Sequence, residues 1–152
     1  MELQLDAKLV SFLDANTAEE AERLLASALL EHGYVKPSYV SAVLERERDY
    51  PTALELGGYC VAIPHTESEH TRNGGIALGV LKKPVMWRRM DDPDELCPVS
   101  LVIMLAVKDP HDHLELLQRV IGLVQDQGLI RAILAADVPE DVINLVAPIL
   151  CN

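Results

Sequence analysis

Apolar positions along the chain follow two patterns. From residue 17 to 32, Ala18, Ala21, Leu24, Leu25, Ala28 and Leu29 recur at helical spacing, opened by Thr17 with Glu20 three residues on and closed by His32-Gly33. This predicts a first helix. Pro37 suits the first turn of a second helix running to about Glu47, where its missing N–H is not needed, and Tyr50-Pro51 ends it. Tyr59 to Ile63, Ile76 to Leu81 and Val99 to Val107 are short apolar runs bounded by turn formers and lacking a 3.6 period, which predicts buried strands, the first of them central in its sheet. The stretch from Lys82 to Pro98 holds Trp87, paired arginines and acidic residues without periodicity, and reads as a long exposed loop. Asp109 is placed as an N-cap and Pro110 as the first residue of a third long helix over roughly 110 to 126, with apolar positions at 114, 117, 120, 121 and 124. Short amphipathic segments at 129 to 135 and 139 to 150 complete the pattern.

Strands alternating with helices, some strands consecutive, predict an α/β fold whose mixed sheet is covered on both faces. A length of 152 residues fits a single domain over 1–152 and can bury a substantial core. No apolar stretch approaches the roughly 20 residues of a membrane span, and MELQLDAKL has neither the basic start nor the apolar run of a signal peptide, so a cytoplasmic location is expected. Cys60, Cys97 and Cys151 lack CxxC spacing and read as reduced thiols. With 24 acids against 13 bases the net charge is −11, which disfavours nucleic acid and anionic membrane surfaces as partners.

Candidate chemistry concentrates on histidine. GxxxxGK[ST], GxGxxG and GxSxG are all absent, which removes support for a nucleotide-binding loop or a serine hydrolase. His65 follows Cys60-Val61-Ala62-Ile63-Pro64, and the proline ends the strand and fixes φ just before the imidazole. Such a histidine can serve as nucleophile, acid, base or metal ligand, or simply occupy a turn. His111 and His113 lie in the first turn of the helix from Pro110. Helical geometry turns His113 toward the face of Leu117, Val120 and Val124, leaves His111 near the polar boundary, and sets both beside unpaired N–H groups and a positive dipole end. A metal-dependent hydrolase built on His65, His111 and His113 is one alternative, although residues two apart on a helix diverge and HExxH is absent. Arg46 and Arg48 suit a helix C-terminus as capping cations; either guanidinium also suits a phosphoryl oxygen and could offset the acidic surface around His65.

The segment Arg46-Glu47-Arg48-Asp49-Tyr50-Pro51-Thr52, then VAIPHT at 61 to 66, then SLVIMLAVKDPHDHLELL from Ser100, resembles the type 2 EIIA components of the bacterial phosphotransferase system, the fructose/mannitol/nitrogen-regulatory superfamily. It looks most like the galactitol-type branch, and the similarity runs through nearly the whole chain. The resemblance implies a three-layer α/β/α sandwich with a small mixed sheet. It implies a phosphocarrier for sugar uptake, with His65 accepting a phosphoryl group from the phosphohistidine of HPr and passing it to a cysteine of a separate EIIB. Arg46 corresponds to the family's arginine and His113 to its second histidine; no cofactor, metal or ATP is required, and the membrane is reached only indirectly through EIIC. A regulatory protein whose phosphorylation at His65 controls partner binding is the other reading that this resemblance leaves open.

Overall fold

The computed structural model describes residues 5–151; the first four residues of the N-terminal segment considered above for a signal sequence lie outside them. Five strands, β1 (Val10–Leu13), β2 (Ala53–Leu54), β3 (Cys60–Ala62), β4 (Gly75–Arg88) and β5 (Leu96–Ala106), form one sheet in the order β1-β4-β5-β3-β2. β1 is parallel to β4 and β3 to β5, whereas β4–β5 and β2–β3 are antiparallel, so the sheet is mixed as expected. β3 is an interior strand, but the middle of the sheet is β5.

Helices α1 (Ala18–Glu31) and α2 (Ser38–Asp49) cover one face; α3 (Pro110–Gln125), α4 (Gln127–Leu134) and α5 (Pro139–Leu150) cover the other. Local chemistry explains the ends. Thr17 caps α1 by accepting the Glu20 N–H, and the chain leaves through Gly33 at φ 82°, with Gly33 and Tyr34 N–H groups closing on the Leu30 and Leu29 carbonyls. Only glycine adopts that φ without strain. Asp109 caps α3 ahead of Pro110, as its sequence predicts, and Pro37 stands at the N-cap of α2, one residue before its first helical position.

Alternation along β4 and β5 divides the core. Ala77, Leu81, Val102 and Met104 face α1 and α2, packing with Leu25, Leu29, Tyr39 and Val43; Leu78, Val80, Ile103 and Leu105 face the other layer, packing with Leu116, Val120, Ile133 and Val146. Each fully buried aliphatic side chain contributes about 1.5–3 kcal/mol.

Three expectations change. The stretch from Lys82 to Pro98 is no long loop: β4 continues to Arg88 and β5 begins at Leu96, pairing Val85 with Val99 and Trp87 with Cys97. A register shift between Val80 and Val85 leaves Lys82, Lys83 and Pro84 exposed, which hides the period-2 burial of Val85 and Trp87 beyond it. On α3 the buried stripe runs through Leu116, Val120, Leu123 and Val124, while Leu114 and Ile121 are exposed; this helix has more apolar residues than one face holds, and contact with α5 and the sheet decides which are used. β1 and β2, four and two residues long, are too short to show a period. Among the described residues no helix is long and apolar enough to cross a membrane.

Two acids lie in the first helical layer. Glu22 and Glu47 are buried and line a cleft of about 380 Å³ with Arg48, Trp87 and Leu44. Burial first, and the mutual repulsion of the two carboxylates second, pushes Glu22 up to about 8, while burial pushes Glu47 up to about 7 against hydrogen bonds that pull it down. A carboxyl whose pKa rises on folding favours the protonated folded state, so its contribution is full below the unfolded value near 4.5 and is lost as pH rises through about 7–8. Urea midpoints should therefore fall between pH 5 and 8 by less in Glu22→Gln than in wild type. Equal slopes would show that Glu22 ionises as freely in the folded chain as in the unfolded one.

Candidate functional site

The parallel strands β3 and β5 end at the same edge of the sheet, and the segments that leave them carry His65 and His113. Openings at the carboxyl ends of such strands are where α/β sheets present chemistry. β3 stops at Ala62 because Pro64 cannot donate to a ladder, yet the chain stays beside β5: the Leu105 N–H donates to the Pro64 carbonyl at 3.0 Å. The buried Tyr39 hydroxyl donates to the Leu105 carbonyl at 2.7 Å, tying that strand end to α2.

His65 is bent back on its own backbone, with Nδ1 2.8 Å from the Ile63 carbonyl. A carbonyl only accepts, so Nδ1 carries the proton and Nε2 carries the lone pair. The His113 ring lies 4.7 Å from the His65 ring, centroid to centroid, tilted by 54°. Arg46 comes from the last turn of α2, and the three side chains line one cleft of about 320 Å³ with Thr66, Glu67, Ser68, Val107 and Pro110. Burial is the main cause holding His65 below the usual imidazole range; the Ile63 bond opposes it, and His113 and Arg46 reinforce it. His113 is lowered by burial and then by Arg46. Both rings therefore favour the neutral state, in which Nε2 of His65 is a nucleophile.

Arg46 is held between two neighbours. Its Nη1 lies 3.3 Å from Glu67 Oε1, and its guanidinium lies over the Tyr50 ring at 5.2 Å. The Thr66 hydroxyl donates to the other Glu67 oxygen at 2.8 Å, which, ahead of Arg46, holds the Glu67 carboxyl below its ordinary range. The carboxylate at the cleft is thus compensated by a cation.

Of the residues singled out in the sequence, His65, His113 and Arg46 converge, whereas His111 and Arg48 do not. His111 is exposed and lies outside the cleft, and its N–H is taken by Asp109 Oδ1 at 2.9 Å. Asp112 N–H also bonds Asp109, so the helix start offers fewer free donors than its sequence suggests. Arg48, two positions beyond Arg46, lines the cleft of Glu22 and Glu47 and is not among the residues lining the His65 cleft. Among the described residues no group of three or more His, Cys, Asp or Glu side chains is arranged to hold a metal, which leaves the hydrolase alternative without its third ligand. Cys60 and Cys97 are buried free thiols and Cys151 is an exposed one. Thr52, Glu67 and Tyr50 were not singled out for this site in the sequence; Thr52 and Tyr50 sit inside the RERDYPT segment, the one signal that pointed toward them.

Comparison with known proteins identifies the family and the fold. The family model described as phosphoenolpyruvate-dependent sugar phosphotransferase system, EIIA 2, matches residues 4–148. The galactitol-specific EIIA component of Escherichia coli K12 is 30% identical over 125 residues, covering 82% of this chain and 81% of that protein. The mannitol-specific IIA component of Halalkalibacterium halodurans is 32% identical over 133 residues, covering 86% and 84%. Among solved structures, IIA mannitol from Escherichia coli superposes with a TM-score of 0.77 at 27% identity, covering 95% of this chain and 99% of that one. The complex of enzyme IIA-Mtl with phosphorylated enzyme IIB-Mtl from Escherichia coli gives 0.80 at 25% identity, covering 97% and 99%. With a mixed five-stranded sheet between two helical layers and a family match across nearly its whole length, the chain belongs to the type 2 EIIA family of the phosphoenolpyruvate-dependent sugar phosphotransferase system.

Proposed function

We propose that the chain acts as one EIIA type-2 domain over 1–152, a cytoplasmic phosphocarrier that accepts a phosphoryl group on Nε2 of His65 from phospho-HPr and passes it to a cysteine of a separate EIIB. The observation that carries this reading is the tautomer of His65: Nδ1 is committed to the Ile63 carbonyl, so the lone pair sits on Nε2 in a cleft shared with Arg46 and His113. An EIIB partner is supported by the family and by the complex formed by the mannitol relative. The galactitol-specific relative supports uptake of a galactitol-like sugar, and complementation of a strain lacking its galactitol EIIA would test it.

In the proposed step the Nε2 lone pair attacks phosphorus, the N–P bond of the donor phosphohistidine breaks, and its electron pair returns to the donor ring. The phosphoryl group needs positioning and stabilisation of its equatorial oxygens more than covalent assistance. Arg46 supplies a guanidinium to those oxygens, exchanging part of its contact with Glu67, and His113 supplies a ring N–H. The Nδ1 proton stays on the ring, and the Ile63 carbonyl oxygen that accepts its hydrogen bond stabilises positive charge in the phosphorylated ring. Transfer to the EIIB thiolate reverses the geometry.

Incubation with enzyme I, HPr and phosphoenolpyruvate should add one acid-labile phosphoryl group, seen by intact mass. His65→Ala should add none; undiminished labelling of that variant would overturn the assignment.

Arg46→Ala and His113→Ala should each slow transfer by roughly 100–1,000-fold, the range for losing one oxyanion donor, without becoming phosphorylation sites. Wild-type rates in both folded variants would refute their roles.

Because the His65 pKa is lowered, the neutral nucleophile persists below the ordinary imidazole range. The rate of phosphorylation should accordingly stay level as pH falls through 6.5 and decline only below it, as stopped-flow measurement with pre-formed phospho-HPr can show. A midpoint at or above the free-imidazole value would contradict the burial described here.

A further inference from the structure

Beneath His65 lies a second set of groups that the transfer step does not touch. Glu47, on the last turn of α2, is a buried carboxylate on which three donors converge: the Thr52 N–H at 2.8 Å, the Thr52 hydroxyl at 2.9 and 3.0 Å to its two oxygens, and the Trp87 indole N–H at 2.8 Å. A hydroxyl has one proton, and here it goes to Glu47, which orients an oxygen lone pair of Thr52 toward the Ile63 N–H at 3.0 Å. The carbonyl of that same residue holds Nδ1 of His65.

We propose that Glu47 and Thr52 form a positioning relay that fixes residue 63, and through it the tautomer and direction of His65. This rests on the reading of His65 as phosphoryl acceptor. The ladder ends at Ala62 and Pro64 has no N–H, so between the strand and the histidine the backbone has one donor, that of Ile63. Ile63 is buried, where an unpaired N–H costs about 1–3 kcal/mol; Thr52 removes that cost in one orientation of the peptide only. Rotating residue 63 away from Thr52 also carries its carbonyl away from Nδ1, and the ring is then free to take either tautomer. The relay is rigid because both ends are built in: Ala53 pairs with Ala62 across β2 and β3, Glu47 sits five residues before Thr52, and Trp87 anchors Glu47 from β4.

The test is made on the full chain labelled with ¹⁵N-histidine, whose ring shifts report the tautomer, together with steady-state transfer from phospho-HPr. Thr52→Val keeps the shape and removes the hydroxyl: kcat should fall by about tenfold, the effect of disturbing a positioned nucleophile, while KM for phospho-HPr stays within about twofold and the Nδ1–H tautomer gives way to a mixture. Thr52→Ser should restore both readouts to within about threefold of wild type. Glu47→Gln turns an N–H₂ toward one of the three donors and should fall between the two; it decides the matter if Thr52→Val does not fold. Wild-type tautomer and kcat in folded Thr52→Val or Glu47→Gln, or no rescue by serine, would overturn the relay. The tautomer is read on unphosphorylated protein, so a His65 that accepts no phosphoryl group overturns the functional reading while the relay is still decided by the ring shifts.

Discussion

The hydrogen bond from the Leu105 N–H to the Pro64 carbonyl is the constraint on which the site depends. It extends the contact between β3 and β5 beyond the last ladder residue, so that the segment carrying His65 runs along the strand that leads into α3. Parallel pairing puts both strand ends at one edge, and a single turn of helix then brings His113 to 4.7 Å from His65. An antiparallel β3–β5 pair would place those segments at opposite ends of the sheet. The proline has two effects here: it stops the ladder, and its carbonyl still receives the bond that holds the backbone in place.

Charge at the cleft is set by its immediate groups rather than by the total of −11. Beyond about 8 Å, exposed charges are largely screened at physiological salt. Within that range the cleft holds Arg46, Glu67 and two imidazoles that burial keeps neutral. The Glu67 carboxylate compensates Arg46 in the resting protein, and in the proposed transfer an arriving phosphoryl group would compete for the same guanidinium. An exposed ion pair of this kind contributes little to stability, so exchanging it costs little.

The two buried acids of the first helical layer behave differently from each other. Glu47 receives three donors and connects through Thr52 and Ile63 to His65, whereas Glu22 lines the same cleft as Glu47 and is raised further. Burying them adds no hydrophobic stabilisation, and each neutralises more readily than a surface carboxyl. Their presence ties α1, α2 and the β4–β5 hairpin into one polar junction, with Trp87 as the shared wall.

What the sequence determined by itself is what depends on near neighbours in the chain. Thr17, Glu20 and Gly33 define α1, Asp109-Pro110 starts α3, the apolar run at 76–81 lies within β4, and that at 99–107 follows β5 to one residue past its end, because caps, fixed φ values and unbroken apolar stretches act within a few residues. The run Val61-Ala62-Ile63-Pro64-His65 marked the strand end and the histidine that enters the cleft with Arg46 and His113 for the same reason. The tertiary structure decided the rest. The Val80–Val85 register shift hid a long hairpin; contact with the sheet and α5 chose Leu116 and Leu123 over Leu114 and Ile121; and the exit side of α2 separated Arg46 from Arg48. Asp109, read as a cap, also closed donors that an anion could have used, the His111 N–H with its carboxylate and the Asp112 N–H with its backbone carbonyl. Burial of Glu47 and its bond to Trp87, 40 residues away, arises only when α2 meets β4, and no local pattern in a charged helix end encodes that meeting.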